Sequence, residues 1–337
     1  MRPRAVVLLA VLLVPVPAFA ARSNREARPD PASLPALPSY IQQIHPAVVG
    51  VRVRADERAP SSARLGSQRV GSGVLFDSRG YVVTVSYLLL DAVTIEARLR
   101  DGRTVPARVA ALDLDTGLGV IRLEGEGTWP AATLGDSRDA RPGMLTGTVG
   151  VGEDDDLVWV SGSLQAIRRF SAYWEYMLDR ALILAPASPS WGGSAVVDER
   201  GRVIGIASLR LGAEPHVNLA IPIEKFVAIK DELLASGRVV SRRPRPWLGL
   251  YTISAEGAVV VDGFSESGPA LRAGFRKGDH IIGVDGADVR SQEEFYEQLW
   301  RAQAGDVIQI SVRRAGNVRV IPVPSIDRYR LYGPSRN

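Results

Sequence analysis

Short apolar runs alternate with glycine- and aspartate-rich turns over the first two thirds of the chain. The clearest runs occupy residues 48–53, 73–76, 109–112, 120–123, 195–197 and 203–206. Regularly spaced short strands separated by turn residues indicate an antiparallel barrel or sandwich, and the spacing alone leaves both open. The chain is therefore predicted to be mainly β up to about residue 210.

The pattern changes to a helical period near residue 222. Pro222 suits the first turn of a helix, and Phe226, Ile229 and Leu233 follow at helical spacing. Gly237 is a typical helix stop. A second, short helix is predicted for residues 39–44. It should end at His45, because the proline that follows disfavours helical conformation in the residue before it.

The remainder of the chain is predicted to form a smaller second domain. Residues 237–246 are rich in arginine and proline and indicate a linker. Asp285 and Gly286 predict a hairpin turn. Ser291 and Glu294 form a capping box for a helix, and strands return at residues 307–312 and 318–323.

The first 20 residues are typical of a secretory signal. Arg2 and Arg4 precede an apolar run that is too short to cross a bilayer, and Ala-Phe-Ala at 18–20 is a cleavage site. We expect cleavage after Ala20, a flexible leader over residues 21–38, and no membrane span afterwards. The alternative is an uncleaved anchor, but two prolines interrupt the run. A periplasmic or secreted location follows.

Composition excludes several function classes. The 41 basic and 37 acidic residues are spread along the chain, which does not predict nucleic-acid binding. The chain has no cysteine and only three histidines, so we predict no disulfide, no metal site and no cofactor. The acidic turn at residues 153–156 is interpreted as a solvated loop.

Several segments, in one consistent order, resemble the HtrA/Deg family of periplasmic serine proteases. They are residues 71–74, 80–84, 134–137, 191–193, 201–206, 219–223, 237–239, 247–250, 268–274 and 278–286. The resemblance implies a chymotrypsin-like double β-barrel over residues 39–236 and, after the linker, a C-terminal PDZ domain over residues 247–325. Residues 326–337 would form a tail without a usable pattern.

The resemblance also locates the catalytic positions, and each holds an unsuitable residue. The position of the histidine base is Tyr87, and a phenol with a pKa near 10 is a poor proton acceptor. The position of the orienting aspartate is Gly117. The nucleophile position is Trp191, and an oxyanion-hole donor position is Pro189, which has no N–H.

Relocated catalytic residues are the alternative. Ser190 and Ser194 flank the nucleophile position, and Asp115 lies two residues from the expected aspartate. A shift by an odd number of residues would reverse the facing of the strand. The histidines at 45, 216 and 280 lie in segments away from the base position, and Asp113 matches a separate turn aspartate of the family.

The PDZ segment retains its pattern. In PDZ domains a peptide adds as a strand to a sheet edge, and its terminal carboxylate is held by backbone N–H groups. The resemblance places this carboxylate loop at Trp247, Leu248, Gly249 and Leu250. Phe295 and Leu299 of the helix that follows Ser291 are candidate peptide contacts, and an orientation toward the domain core is equally open.

These observations predict an inactive HtrA/Deg-like protein that binds protein C-termini, unfolded peptides or an active protease relative through its PDZ domain. An active endopeptidase of protein quality control and a holdase chaperone are the alternatives. The resemblance further implies a homotrimer, to which Tyr40 and Ile44 could contribute.

Overall fold

The computed structural model of the chain describes residues 37–255 and 257–332. The predicted signal peptide, most of the leader and the last five residues lie outside this range. Among the described residues, no helix combines the length and the apolar character needed to cross a membrane.

The first barrel is a closed sheet of six antiparallel strands in the order β1-β2-β3-β6-β5-β4. The helix predicted for residues 39–44 is present and leads into it. The bounds are α1 Ser39–Ile44, β1 Val48–Ala55, α2 Ser62–Leu65, β2 Gln68–Asp77, β3 Tyr81–Val85, α3 Ser86–Leu89, β4 Ala92–Arg98, β5 Thr104–Asp113 and β6 Leu118–Leu123.

The second barrel is also closed, in the order β10-β11-β12-β9-β8-β7. Of the two sheet architectures that the spacing left open, the barrel is the one observed. The bounds are β7 Leu145–Val151, β8 Leu157–Ala172, β9 Tyr176–Ala185, β10 Ala195–Val197, β11 Val203–Leu211 and β12 Val217–Pro222. A continuous apolar cluster joins the two barrels, and Phe76 meets Phe226 edge to face inside it.

The helix predicted after Pro222 is two helices, α4 Ile223–Val227 and α5 Lys230–Ser236. The break falls at Ile229, whose φ of −117° is outside the helical range. Gly237 ends the second helix in a left-handed conformation, as predicted. Phe226 and Leu233 are both fully buried, so the break turns the chain while both helices keep their apolar side chains on the barrel.

The C-terminal domain is an antiparallel sheet in the order β14-β15-β16-β18-β19, covered by two helices, with β17 paired to β16. The bounds are β14 Leu250–Ala255, β15 Ala258–Phe264, α6 Pro269–Ala273, β16 His280–Val284, β17 Ala287–Asp288, α7 Gln292–Leu299, β18 Val307–Arg314 and β19 Asn317–Pro324. Asp285 and Gly286 both have positive φ, which matches the predicted hairpin turn.

The segment after residue 324 returns to the barrels, although its sequence gave no usable pattern. Strand β20 (Ile326–Asp327) pairs with β13 (Pro246–Trp247), and helix α8 spans Tyr329–Tyr332. The Tyr329 hydroxyl accepts a hydrogen bond from the Leu114 amide at 3.0 Å. Residues 326–329 therefore connect the linker to the turn between β5 and β6.

Candidate functional site

The three predicted triad positions meet in the cleft between the barrels. Tyr87 lies in helix α3, which directly follows β3, and its hydroxyl donates to the Ser208 carbonyl at 2.9 Å. A methyl group at Gly192 would lie 2.9 Å from that hydroxyl oxygen, so the phenol abuts the loop that carries Trp191. Burial raises the pKa of Tyr87 above its ordinary value, which keeps the hydroxyl neutral.

Another tyrosine fills the space beside Gly117. This glycine has a φ of +80°, and a methyl group placed on it would lie 3.0 Å from the Tyr176 hydroxyl. Tyr176 donates to the Thr116 carbonyl at 2.7 Å. The Gly117 carbonyl accepts from the Ser86 amide at 2.8 Å, so this position does lie next to Tyr87. No carboxylate is offered to the base position from Gly117.

Trp191 packs its indole on the apolar cluster of the second barrel, and the Arg210 guanidinium lies 6.0 Å from its ring centroid. Neither group is a nucleophile. Pro189, two residues earlier, is exposed and has no amide hydrogen to donate. The loop therefore has an indole at the predicted nucleophile position, Trp191, and no amide donor at the predicted oxyanion position, Pro189.

Three serines form a hydrogen-bonded cluster behind this loop. The Ser194 hydroxyl donates to the Ser190 carbonyl at 2.6 Å and lies 3.3 Å from the Ser72 hydroxyl. The Ser190 hydroxyl donates to the Val151 carbonyl at 2.7 Å. Ser194 is fully buried. These hydroxyls donate to main-chain carbonyls, which cannot act as general bases.

The histidines lie elsewhere. His216 has its Nδ1 2.7 Å from the Gly212 carbonyl on the hairpin between β11 and β12. His45 is in the turn before β1, and His280 begins β16 of the C-terminal domain. Among the hydrogen bonds of the described residues, none joins an imidazole to Ser190 or Ser194.

Asp113 and Asp115 hold the linker and do not face the cleft. The Arg242 guanidinium lies 2.9 Å from Asp113 and 3.1 Å from Asp115. Asp113 also accepts from the Thr116 hydroxyl at 2.7 Å. Asp115 itself lies in the turn between β5 and β6. No cluster of candidate metal ligands occurs among the described residues.

The predicted carboxylate loop of the C-terminal domain has the backbone of an anion cradle. Gly249 has a φ of +75°, and a methyl group on it would lie 2.6 Å from the Gly268 Cα, so only glycine fits. The amides of Leu248 and Leu250 both point to one carboxylate, that of Glu175, at 3.0 and 2.7 Å. Trp247 is buried and makes an edge contact with Tyr332.

Phe295 and Leu299 are fully buried in the core of the C-terminal domain. Of the two orientations that their spacing left open, the structure has them on the core side. The residues of α7 that face β14 are Gln292, whose amide donates to the Thr252 carbonyl at 2.6 Å, and Tyr296, whose hydroxyl lies 3.1 Å from the Thr252 hydroxyl. Sequence reasoning missed both, although they lie four residues apart on one helix face.

Ile44 and Tyr40, the candidate trimer contacts, contribute to the chain's own fold. Ile44 is almost completely buried in the barrel cluster. The Tyr40 hydroxyl bonds to that of Ser161 on β8. The Ile44 side chain is thus committed to the barrel interior.

Comparison with known families agrees with this architecture. The trypsin-like peptidase domain matches residues 71–206, and the PDZ domain matches residues 246–324. The serine endoprotease DegS of Escherichia coli (strain K12) is 28% identical over 292 residues, which is 81% of each chain. The Do-like serine protease HtrA of Lactobacillus helveticus is 26% identical over 78% of this chain and 70% of its own.

A third relative, from Halomonas elongata, is named a probable periplasmic DegP-like serine endoprotease. It is 29% identical over 75% of this chain, and the match spans 56% of its own length. Among solved structures, an HtrA-type protease, AlgW with a serine-to-alanine substitution and a bound tripeptide, superimposes with a TM-score of 0.56 over 86% of this chain and 96% of its own, at 24% identity. The serine endoprotease from Yersinia pestis gives 0.55 over 87% and 99%, at 23% identity.

A trypsin-like double barrel followed by a PDZ domain is thus the class of protein that fold and sequence define together. Within this class, the relatives that match three quarters or more of the chain at 26–29% identity are serine proteases named HtrA, DegS and DegP-like.

Proposed function

We propose that this chain is a catalytically inactive member of the HtrA/Deg family that acts by binding peptides or a protein partner. One observation carries the proposal: at the base position, a neutral Tyr87 hydroxyl is bonded to the Ser208 carbonyl and abuts the loop at Gly192. A phenol held in this way accepts no proton from a nucleophile at neutral pH. The indole at Trp191 and the missing donor at Pro189 add independent obstacles.

The second candidate, an active endopeptidase that uses Ser190 or Ser194, has less support. Both hydroxyls donate to carbonyls of the cleft loops. A serine becomes a nucleophile only when a base removes its proton. The groups around the cluster are other hydroxyls and carbonyls, so we favour the inactive assignment.

An active-site-directed fluorophosphonate separates the two candidates. We expect no labelling of the full chain and no degradation of casein, while a trypsin-like protease labelled in parallel reacts. The variant Trp191→Ser tests whether the alcohol alone suffices, and we expect it to remain unlabelled because Tyr87 still lies at the base position. Labelling of the wild-type chain that disappears in Ser194→Ala or Ser190→Ala would overturn the proposal in favour of the second candidate.

The binding site of this function would be the PDZ groove between β14 and α7. The carboxylate loop there has the glycine and the converging amides that a terminal carboxylate needs. We propose protein C-termini or unfolded peptides as ligands. The name of the Halomonas relative supports a periplasmic location, which we also propose for this chain. A homotrimer remains a prediction from the resemblance.

A further inference from the structure

The PDZ groove is already filled by a segment of the second barrel. Strands β8 and β9 are joined by a tight turn, and the hairpin tip (residues 171–177) reaches the C-terminal domain. At its end, Glu175 is 2% exposed, although glutamate is rarely buried without a partner. Its partners are the amides of Leu248 and Leu250 in the carboxylate loop.

The main chain of the hairpin tip adds to the same edge. The Thr252 amide of β14 donates to the Tyr173 carbonyl at 2.9 Å. Thr252 lies two residues after Leu250, and Tyr173 lies two residues before Glu175. The bond between Thr252 and Tyr173 joins main chain to main chain at the edge strand of the sheet, whereas Leu250 bonds to the side chain of Glu175. The hairpin tip therefore lies where an added peptide strand would lie.

Side chains on the other wall of the groove bind the same segment. The Tyr296 hydroxyl of α7 donates to the Ala172 carbonyl at 2.6 Å and accepts from the Glu175 amide at 3.2 Å. The Ser171 hydroxyl donates to the Glu293 carboxylate at 2.6 Å. One main-chain carbonyl and one main-chain amide of the tip thus have their partner on α7.

Apolar and aromatic contacts complete the interface. Tyr173 meets Tyr251 edge to face with 5.5 Å between ring centroids, and the Arg64 guanidinium lies 3.8 Å from the centroid of Tyr251. Met177 packs on the core of the C-terminal domain. Glu175 itself has a φ of +55°, a left-handed conformation that side chains other than Gly, Asn and Asp seldom adopt. In this strained conformation, the Glu175 carboxylate points into the carboxylate loop at Leu248 and Leu250.

We propose that the hairpin tip is an internal ligand of the PDZ domain, in which the Glu175 side chain takes the place of a peptide's terminal carboxylate. The proposal rests on the proposed function insofar as an outside peptide would need the same groove. Such a peptide has to displace the hairpin tip, so the chain binds external C-termini weakly until the contact is released.

The first test measures the contact without any peptide. Hydrogen exchange of the full chain, resolved by mass spectrometry, reports the amides of residues 248–252. We expect exchange at these amides to be at least tenfold faster in Glu175→Gly than in the wild type, while residues 307–314 of β18 are unchanged. Glycine suits the left-handed backbone, so strain does not cause the effect. Equal protection in both proteins would overturn the proposal.

Two further variants secure the interpretation. Tyr296→Phe removes the hydroxyl contacts from the opposite wall and should accelerate the same amides. Asp179→Asn, on the same hairpin but bonded to Lys225 at 2.6 Å, is the matched control and should change nothing. Faster exchange in Asp179→Asn as well would mean that the hairpin responds to any change in charge, and would count against a specific carboxylate contact.

The second test uses external ligands. Fluorescein-labelled peptides with free C-termini, selected from a phage-displayed C-terminal library on Glu175→Gly, are titrated into both full chains. We expect at least tenfold tighter binding to the variant and no binding of the amidated peptides. Equal affinities would overturn the internal-ligand proposal. If the amides are released but no library member binds, the contact stands and peptide binding as the function fails.

Discussion

At the scale of single residues, two tyrosine hydroxyls in the cleft are bonded to main-chain carbonyls instead of being free for proton transfer. Tyr87 and Tyr176 each donate to a main-chain carbonyl, at 2.9 and 2.7 Å, and so hold the cleft loops together. A catalytic base must instead be free to take and return a proton. Both hydroxyls are thus engaged in structural hydrogen bonds.

Tyr87→Phe tests that structural role. The change leaves the Ser208 carbonyl without its donor, and we expect the free energy of unfolding to fall by about 1 kcal/mol. Tyr81→Phe is the control: its hydroxyl, on a half-exposed ring of β3, accepts from Arg122 at 3.2 Å, and water can replace that bond. Urea unfolding of both variants measures the difference. If the free energy of unfolding of Tyr87→Phe equals that of the wild type, the hydrogen bond from Tyr87 to Ser208 does not stabilise the fold.

At the scale of elements, local signals located helix ends and turns correctly. The capping box was predicted from Ser291 and Glu294, and the Ser291 hydroxyl does accept from the Glu294 amide at 3.1 Å. The Glu294 carboxylate in turn accepts from the Arg290 amide at 2.7 Å. These signals act over three or four residues, so the sequence carries them. The break at Ile229 was not predicted, because barrel packing dictates it.

Ser291→Ala should therefore weaken the start of α7. Loss of a cap of this kind costs about 1 kcal/mol. We expect the urea midpoint of the C-terminal domain to fall accordingly. The control Ser254→Ala, on the exposed side of β14, should leave the midpoint nearly unchanged. A loss of equal size in both variants would indicate a general effect of removing serine hydroxyls and would contradict the capping role.

At the scale of the whole molecule, the domains are joined through polar contacts as well as through the linker. Arg242 binds Asp113 and Asp115, Tyr329 binds the Leu114 amide, and Glu175 enters the carboxylate loop. Together these contacts connect the linker, the end of the described chain and the hairpin tip to both domains. We infer that the docking of the two domains depends on whether the Glu175 side chain is protonated.

The Glu175 carboxylate makes that docking dependent on pH. Burial raises the pKa of Glu175 to about 7 from its ordinary value of 4.5, although the amides of Leu248 and Leu250 and the nearby Arg328 lower it. The Tyr296 hydroxyl bonds to the Glu175 main-chain amide rather than to its carboxylate. Because the docked state binds the extra proton, its stabilisation is fully present below pH 4.5 and is lost as pH rises through 7. The loss is about 3 kcal/mol.

Thermal unfolding at pH 5, 6, 7 and 8 checks this sign. The melting temperature of the wild type should fall by several degrees relative to Glu175→Gln across this range. The glutamine side chain has the same length but does not titrate. Subtracting its melting temperatures therefore cancels the pH dependence that comes from all other groups. A difference that grows in favour of the wild type as pH rises would contradict the assignment.

The sequence by itself determined most of the strands, the capped helix α7 and the order of a trypsin-like domain before a PDZ domain, because alternation, caps, turns and an ordered set of motifs are local properties of the chain. The tertiary structure alone decided what the buried side chains of α7 contact: Phe295 and Leu299 pack in the domain core, whereas the polar ends of Gln292 and Tyr296 bond to β14 and to the hairpin tip. It also decided the partner of Glu175. A carboxylate in an aromatic turn gives no sequence signal for its target, since the amides that bind it lie more than 70 residues away.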